Sequence, residues 1–257
     1  MKKLKLDYVI LKYKLLVLLV IFLFSKSLYS NEIKFEIQGN EFSDTNAILS
    51  ILKEIPENID KEYSNDIIRK LSNSNLFSDV KVELKDNKYL ITVKEYPNID
   101  RIYFENNERL KDDDLEIIAS QIEFTKFNSL STNIFINELK NIYQSYGYND
   151  VTIEYSEKKY ENNTVDLFFK INEGKITKIN KIIIKSNNLI KNQEIRSILK
   201  SKTKTIINIF ANNNYKPSLV ESDKNRISNY YRNNGYVDVN VSSKIEYLKS
   251  NKVNIYF

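Results

Sequence analysis

Repetition is the feature that most limits how this chain can fold. One pattern of apolar spacing occurs three times between Ile33 and Phe257. Each copy opens with a short run of strand-forming residues, at 33–37, 99–104 and 179–184. A polar turn closes each run, at Gly39-Asn40, Asn106-Asn107 and Asn187-Asn188, residue types that accept left-handed backbone at low cost. A chain with internal repeats of this length builds several small cores in series rather than one large core.

Two helical stripes follow in every copy. Asp44 stands as an N-cap before Ile48, Leu49 and Leu52, and Ile67, Ile68 and Leu71 repeat that spacing. The second copy carries Leu115, Ile118 and Ala119, then Ile136, Leu139, Ile142, Tyr143 and Tyr146. The third carries Ile195, Ile198 and Leu199, then Leu219, Ile227, Tyr230 and Tyr231. Each stripe covers one face, so each helix must pack against another element. The tyrosines share this spacing, which assigns them to packing rather than to base stacking.

The sharpest signature closes the second helix. Asn75-Leu76-Phe77-Ser78-Asp79-Val80, Tyr146-Gly147-Tyr148-Asn149-Asp150-Val151 and Asn234-Gly235-Tyr236-Val237-Asp238-Val239 align with one another. Gly147 and Gly235 fall just past the helix, where positive φ is wanted, and an aromatic then returns to the core. Alternating strands follow: Val80, Val82, Leu84; Val151, Ile153, Tyr155; Val237, Val239, Val241. A polar turn leads to a last strand at 90–93, 165–171 and 253–257. The predicted unit is strand, helix, helix, strand, strand. Its fold class is α+β, a three-stranded sheet covered by two helices. Boundaries are set at 1–30 for a leader and 31–96, 97–174 and 175–257 for the units. The joins Glu95-Tyr96-Pro97 and Glu173-Gly174-Lys175 leave almost no spacer, so a semi-rigid array is expected.

Composition narrows the chemistry. The chain has no His and no Cys, which removes imidazole bases, thiolate nucleophiles, Cys/His zinc sites and disulfides. Ser, Lys and carboxylates are present, but no spacing singles out a catalytic pair, and the expectation is a protein that is not an enzyme and needs no cofactor. Lys111-Asp112-Asp113-Asp114 lacks the glycine and distal Glu of a calcium loop, and acids at a helix start favour the helix dipole, so no metal is assigned. The net charge of +5 resides entirely in residues 1–30, with six Lys against Asp7, and the remainder is neutral. That excludes the basic footprint of a nucleic-acid binder, and no small-molecule substrate is indicated.

Residues 1–30 read as an export signal. Lys2, Lys3 and Lys5 precede ten uninterrupted apolar residues at 15–24, which span about 15 Å as a helix, half of a hydrocarbon core. An uncleaved anchor would have to bury Lys12 and Lys14. Cleavage is expected near Ser27 or Ser30. Export without cysteine fits the bacterial periplasm.

The Gly-Asn turn, the Leu-Phe-Ser-Asp-Val and Tyr-Gly-Tyr-Asn-Asp-Val segments and the Glu residues at unit ends resemble the polypeptide-transport-associated, or POTRA, domain. Three copies behind a signal peptide are similar to the periplasmic arm of outer-membrane-protein assembly factors of the BamA family. The third copy, with residues 210–217, Asp223, Tyr230-Tyr231 and Asn234-Gly235-Tyr236, resembles the long third POTRA of alphaproteobacterial members. The resemblance implies binding of unfolded outer-membrane proteins and of the complex's lipoproteins, and a membrane β-barrel that these residues do not contain. TamA-like factors, two-partner secretion transporters and FtsQ-type proteins are the alternatives, TamA-like factors because they too carry three units. Phe257 is taken to stand where the earlier copies read Glu95 and Glu173, and the chain is expected to be a truncated arm. An exposed sheet edge can accept another strand through its backbone. The expected docking strand is Tyr236, Val237, Asp238, Val239, Asn240 and Val241, with Gly39, Asn40, Gly147, Gly174 and Gly235 as structural turns and caps.

Overall fold

The computed structural model describes residues 34–53, 60–85, 88–186, 188–204 and 211–257. The leader, Ser27, Ser30, Ile33, Asn187 and Phe210 lie outside them. The first module runs β1 (Lys34–Gln38), α1 (Thr45–Leu52), α2 (Lys61–Asn73), β2 (Phe77–Lys85) and β3 (Lys88–Glu95). The second runs β4 (Asn98–Glu105), α3 (Asp112–Gln121), α4 (Ser129–Tyr146), β5 (Thr152–Lys159) and β6 (Thr164–Asn172). The third runs β7 (Lys178–Ile183), α5 (Asn192–Ile198), α6 (Pro217–Asn233), β8 (Lys244–Leu248) and β9 (Lys252–Tyr256). The chain divides into two compact units between Glu95 and Tyr96, and the second unit holds the second and third modules.

All three sheets share one topology. The last strand of each module lies in the centre, parallel to the first strand and antiparallel to the second. In the first sheet Phe35 faces Tyr89 and Ile37 faces Ile91; in the second Phe104 faces Phe169; in the third Ile182 faces Ile255. The two helices supply the crossover that a parallel pair requires. The central strand is accordingly the most apolar, and Val165, Leu167, Phe169 and Ile171 of β6 are all fully buried.

Local chemistry sets the helix starts. Asp44 accepts the Asn46 and Ala47 N–H groups at 2.8 and 3.1 Å, and Asp60 caps α2 through Glu62 N–H at 3.0 Å. The Tyr89 hydroxyl, buried in the first core, both accepts from Asp60 N–H and donates to Asp60 C=O at 2.9 Å. Asp112, Asp113 and Asp114 form the first turn of α3, and the Asp114 carboxylate accepts Lys111 N–H at 3.3 Å.

The cores follow the predicted stripes with additions. Ile48, Leu52, Ile67 and Leu71 close over the first sheet, and Leu115, Ile118, Leu139 and Tyr143 over the second. Phe135 was hidden next to Ile136 in the α4 stripe, yet it centres the second core, 4.7 Å from Phe124 and 5.2 Å from Phe169 between ring centroids. In the third module α5 is only seven residues, and Leu199 is buried beyond its end. The fully buried Asp223 of α6 holds this region by accepting Lys200 N–H and Ser201 N–H, both at 2.8 Å, with Arg226 at 3.0 Å.

Left-handed backbone falls at the repeat landmarks: all four glycines have positive φ, and Asn106, Asn188 and Asn75 take it where no glycine stands. At Gly39 an added Cβ would lie 2.1 Å from the Val93 carbonyl oxygen, while at Gly235 it would meet nothing within 4 Å. Gly235→Ala should therefore cost only the backbone term, about 1–2 kcal/mol. Gly39→Ala should cost more, because the central strand has to move as well. Denaturant unfolding of the two variants checks the ranking, and equal losses would contradict it.

Candidate functional site

A three-stranded sheet with its last strand in the centre leaves one free edge on each outer strand. In the third module the second-strand edge is β8, and the exposed side chain of Tyr247 marks it. The structure moves this strand relative to the expectation. Tyr236, Val237, Asp238, Val239, Asn240 and Val241 lie outside the strands, and the ladder begins at Lys244.

The reason is visible in the second module. There Gly147 N–H donates to Gln144 C=O and Tyr148 N–H to Tyr143 C=O, and β5 starts only at Thr152. Gly235 N–H and Tyr236 N–H repeat these bonds to Arg232 and Tyr231 at 3.0 and 3.1 Å. Tyr236 to Val239 thus form the helix-to-strand turn, and alternation of valines across a turn mimicked a strand. The β8–β9 ladder opens with the pair Lys244–Tyr256, and Asn240, Val241 and Ser242 precede it.

The register also corrects the reading of Phe257. Its N–H donates to Ile183 C=O and its C=O accepts Lys185 N–H, at 2.9 and 2.8 Å, which continues the parallel ladder. In the second sheet Val165, Leu167 and Phe169 take the places that Val253, Ile255 and Phe257 take in the third. Phe257 therefore matches Phe169, and Glu173 lies four residues further along. Next to Phe257 opens a groove of about 360 Å³, lined by Ile184, Ile227, Tyr231, Val239 and Val241. In the second module the corresponding ladder continues to Ile171, which is buried and pairs with Ile153.

The carboxylates at unit ends have a role that sequence reading missed. Glu95 accepts Phe42 N–H at 2.9 Å, and Glu173 accepts Arg109 N–H at 2.7 Å and the Tyr143 hydroxyl at 3.0 Å. Each ties the end of the central strand to the loop after the first strand. Their matching position at two unit ends was the available signal. Among the predicted caps, Asn40 donates to Ser43 C=O and to the Thr45 hydroxyl, and Asn107 makes the matching pair to Leu110 and Asp112. Gly174 has a φ of 69° and its N–H donates to Asn172. The candidate tyrosines are packing residues: Tyr143 and Tyr231 are buried, Tyr146 lies under the Arg109 guanidinium at 3.8 Å, and Tyr230 donates to Glu194. Among the described residues no cluster of acidic groups is placed to hold a metal, and no helix is long and apolar enough to cross a membrane.

A family model for POTRA, described as "Surface antigen variable number repeat", matches residues 97–174 and 177–257, more than half of the chain. The chain belongs to the POTRA family. Outer membrane protein assembly factor BamA of Buchnera aphidicola is 25% identical over 216 residues, covering 82% of this chain and 35% of that protein. BamA of Neorickettsia risticii is 22% identical over 221 residues, covering 85% and 30%. The POTRA chain thus spans about a third of the length of these curated relatives. Among solved structures, POTRA3-5 of Haemophilus influenzae BamA aligns with a TM-score of 0.44 at 14% identity, covering 87% of this chain and 93% of that one. The POTRA region described here is BamA-like.

The clamp on the second POTRA module is open to titration. Burial, and then the charge of Glu173, pushes the Tyr143 hydroxyl above its ordinary value of 10.0. A group raised in the folded state stabilises fully below its unfolded pKa, so this contribution should fall away as pH rises past about 10. Tyr143→Phe should flatten part of that alkaline loss. Glu173→Ala should cost about 1–3 kcal/mol at neutral pH, because it strands the Arg109 N–H and the tyrosine hydroxyl. Urea unfolding at a series of pH values measures both.

Proposed function

We propose that this POTRA region is the periplasmic arm of an outer-membrane-protein assembly factor. It acts by binding, without catalysis, and presents backbone to unfolded outer-membrane proteins and to the assembly lipoproteins next to an outer-membrane β-barrel. In this reading residues 1–30 direct export and are removed near Ser27 or Ser30, and the working modules are 31–96, 97–174 and 175–257.

One observation supports the docking mode above others: among the described residues the outer edge of β8 in the third sheet has no ladder partner. Clients of an assembly factor differ in side chains but share strand-forming backbone. Main-chain hydrogen bonding recognises that common feature without demanding a sequence. The turn at Tyr236 then positions the docking segment rather than forming part of a regular strand. The names of the curated relatives, which are assembly factors, support this reading over a separate transport role.

Lys244 is exposed and is the first residue of β8, a place where an edge strand accepts proline. A photo-crosslinker at Tyr247 is expected to capture a urea-unfolded outer-membrane β-barrel protein. The Lys244→Pro variant should lose much of that capture while its circular dichroism is unchanged. Undiminished capture by the folded variant would count against backbone docking here.

A further inference from the structure

The third module carries a longer connection between its helices than the second, and Asn214 and Tyr215, near its end, meet the second module. Two backbone bonds in this stretch only repeat the module fold. Ile179 N–H to Asn213 C=O and Tyr215 N–H to Thr177 C=O correspond to Ile99 N–H to Thr125 C=O and Phe127 N–H to Pro97 C=O. The side chains do something the second module does not.

Asn214 Nδ2 donates to the Tyr146 carbonyl at 3.1 Å, reaching from the third module onto the end of α4. Its Oδ1 accepts the Lys178 ammonium at 2.5 Å. An ammonium can only donate, so the amide has one allowed orientation, with its own donor on Tyr146. Asn149 reaches the opposite way: its Nδ2 spans the Gly147 carbonyl at 2.9 Å and the Tyr215 carbonyl at 3.0 Å. Thr177 N–H donates to the Gly147 carbonyl at 2.9 Å. Asn251 Nδ2 adds a bond to Asp150 at 3.1 Å. Approach at this joint is close, since a Cβ on Gly147 would lie 3.0 Å from Asn214 Cβ and 3.1 Å from Ile176 Cγ2.

We propose that Asn149 and Asn214 form a reciprocal latch that holds the second and third modules at one angle, so that their docking surfaces move as a unit. Each amide crosses the joint to a carbonyl that a helix end or loop leaves without a helical partner. Removing one side therefore strands a carbonyl as well as losing a bond. In the third module Val237 takes the place of Asn149 and is 78% exposed, and in the first module Ser78 takes it and donates to Lys94 C=O within its own module.

The absence of cysteine makes the test direct. Spin labels at Asn141→Cys and Asn229→Cys, both exposed and on α4 and α6, report the distance between the two modules by pulsed electron resonance. The otherwise unaltered chain should give one narrow distribution. Asn149→Ala with Asn214→Ala should lose it in favour of a broad one, while far-ultraviolet dichroism and a cooperative melt persist. Asn214→Asp keeps the Lys178 contact but turns an acceptor toward Tyr146 C=O, and should broaden the distribution as much as alanine does. If the double variant melts, the single Asn149→Ala variant decides, because that residue sits in an intermediate turn of the second module. A narrow distribution in the folded alanine variants, or a broad one in the starting chain, would overturn the latch.

Discussion

Parallel pairing between the first and last strands is the constraint on which each module depends. It places the last strand to be synthesised in the centre of the sheet, between two strands that do not touch each other. Neither outer strand can be satisfied until that strand arrives, so each module folds around its C-terminal segment. The apolar load follows: Val253 and Ile255 are fully buried, while the neighbouring β8 has much of its surface in water. The same topology gives each module two outer strands, each paired on one side only within its own sheet.

The end of that central strand is also where the modules are finished and joined. Glu95 and Glu173 reach back to the loop after the first strand, so the carboxylate closes the sheet by a charge-assisted bond rather than by more apolar burial. Just past it, the second module hands over to the third through carbonyls and amides.

Much of this was legible in the sequence because small amphipathic elements leave little freedom. The strand and helix order, the Asp44 cap, the helix-end glycines and the α+β class followed from spacing and residue type. What escaped had physical causes. Val237, Val239 and Val241 alternate, but alternation does not report hydrogen bonding: Val239 and Val241 pack on the third core beside the turn, while Val237 is exposed. Phe257 was matched to Glu173 by counting along the chain, whereas the ladder register aligns it with Phe169. Phe135 was overlooked because a wide apolar stripe does not say which of two adjacent residues points inward. The joint role of Asn149 and Asn214 carried no signal, since asparagine is abundant here and its meaning depends on which carbonyl it meets 66 and 68 positions away.

A joint made of amides and carbonyls behaves differently from one made of apolar side chains. Apolar contact is non-directional and tolerates sliding, so it would hold two modules together without setting their angle. Hydrogen bonds weaken steeply when bent, and four of them from different directions define an orientation. Their net stabilisation is modest, about 0.5–1.5 kcal/mol each, which is small beside the burial within a module. The modules can thus fold independently on their own cores, and the joint then selects one relative orientation at little thermodynamic expense. That division of labour makes geometry, rather than overall stability, the quantity most exposed to single substitutions at this joint.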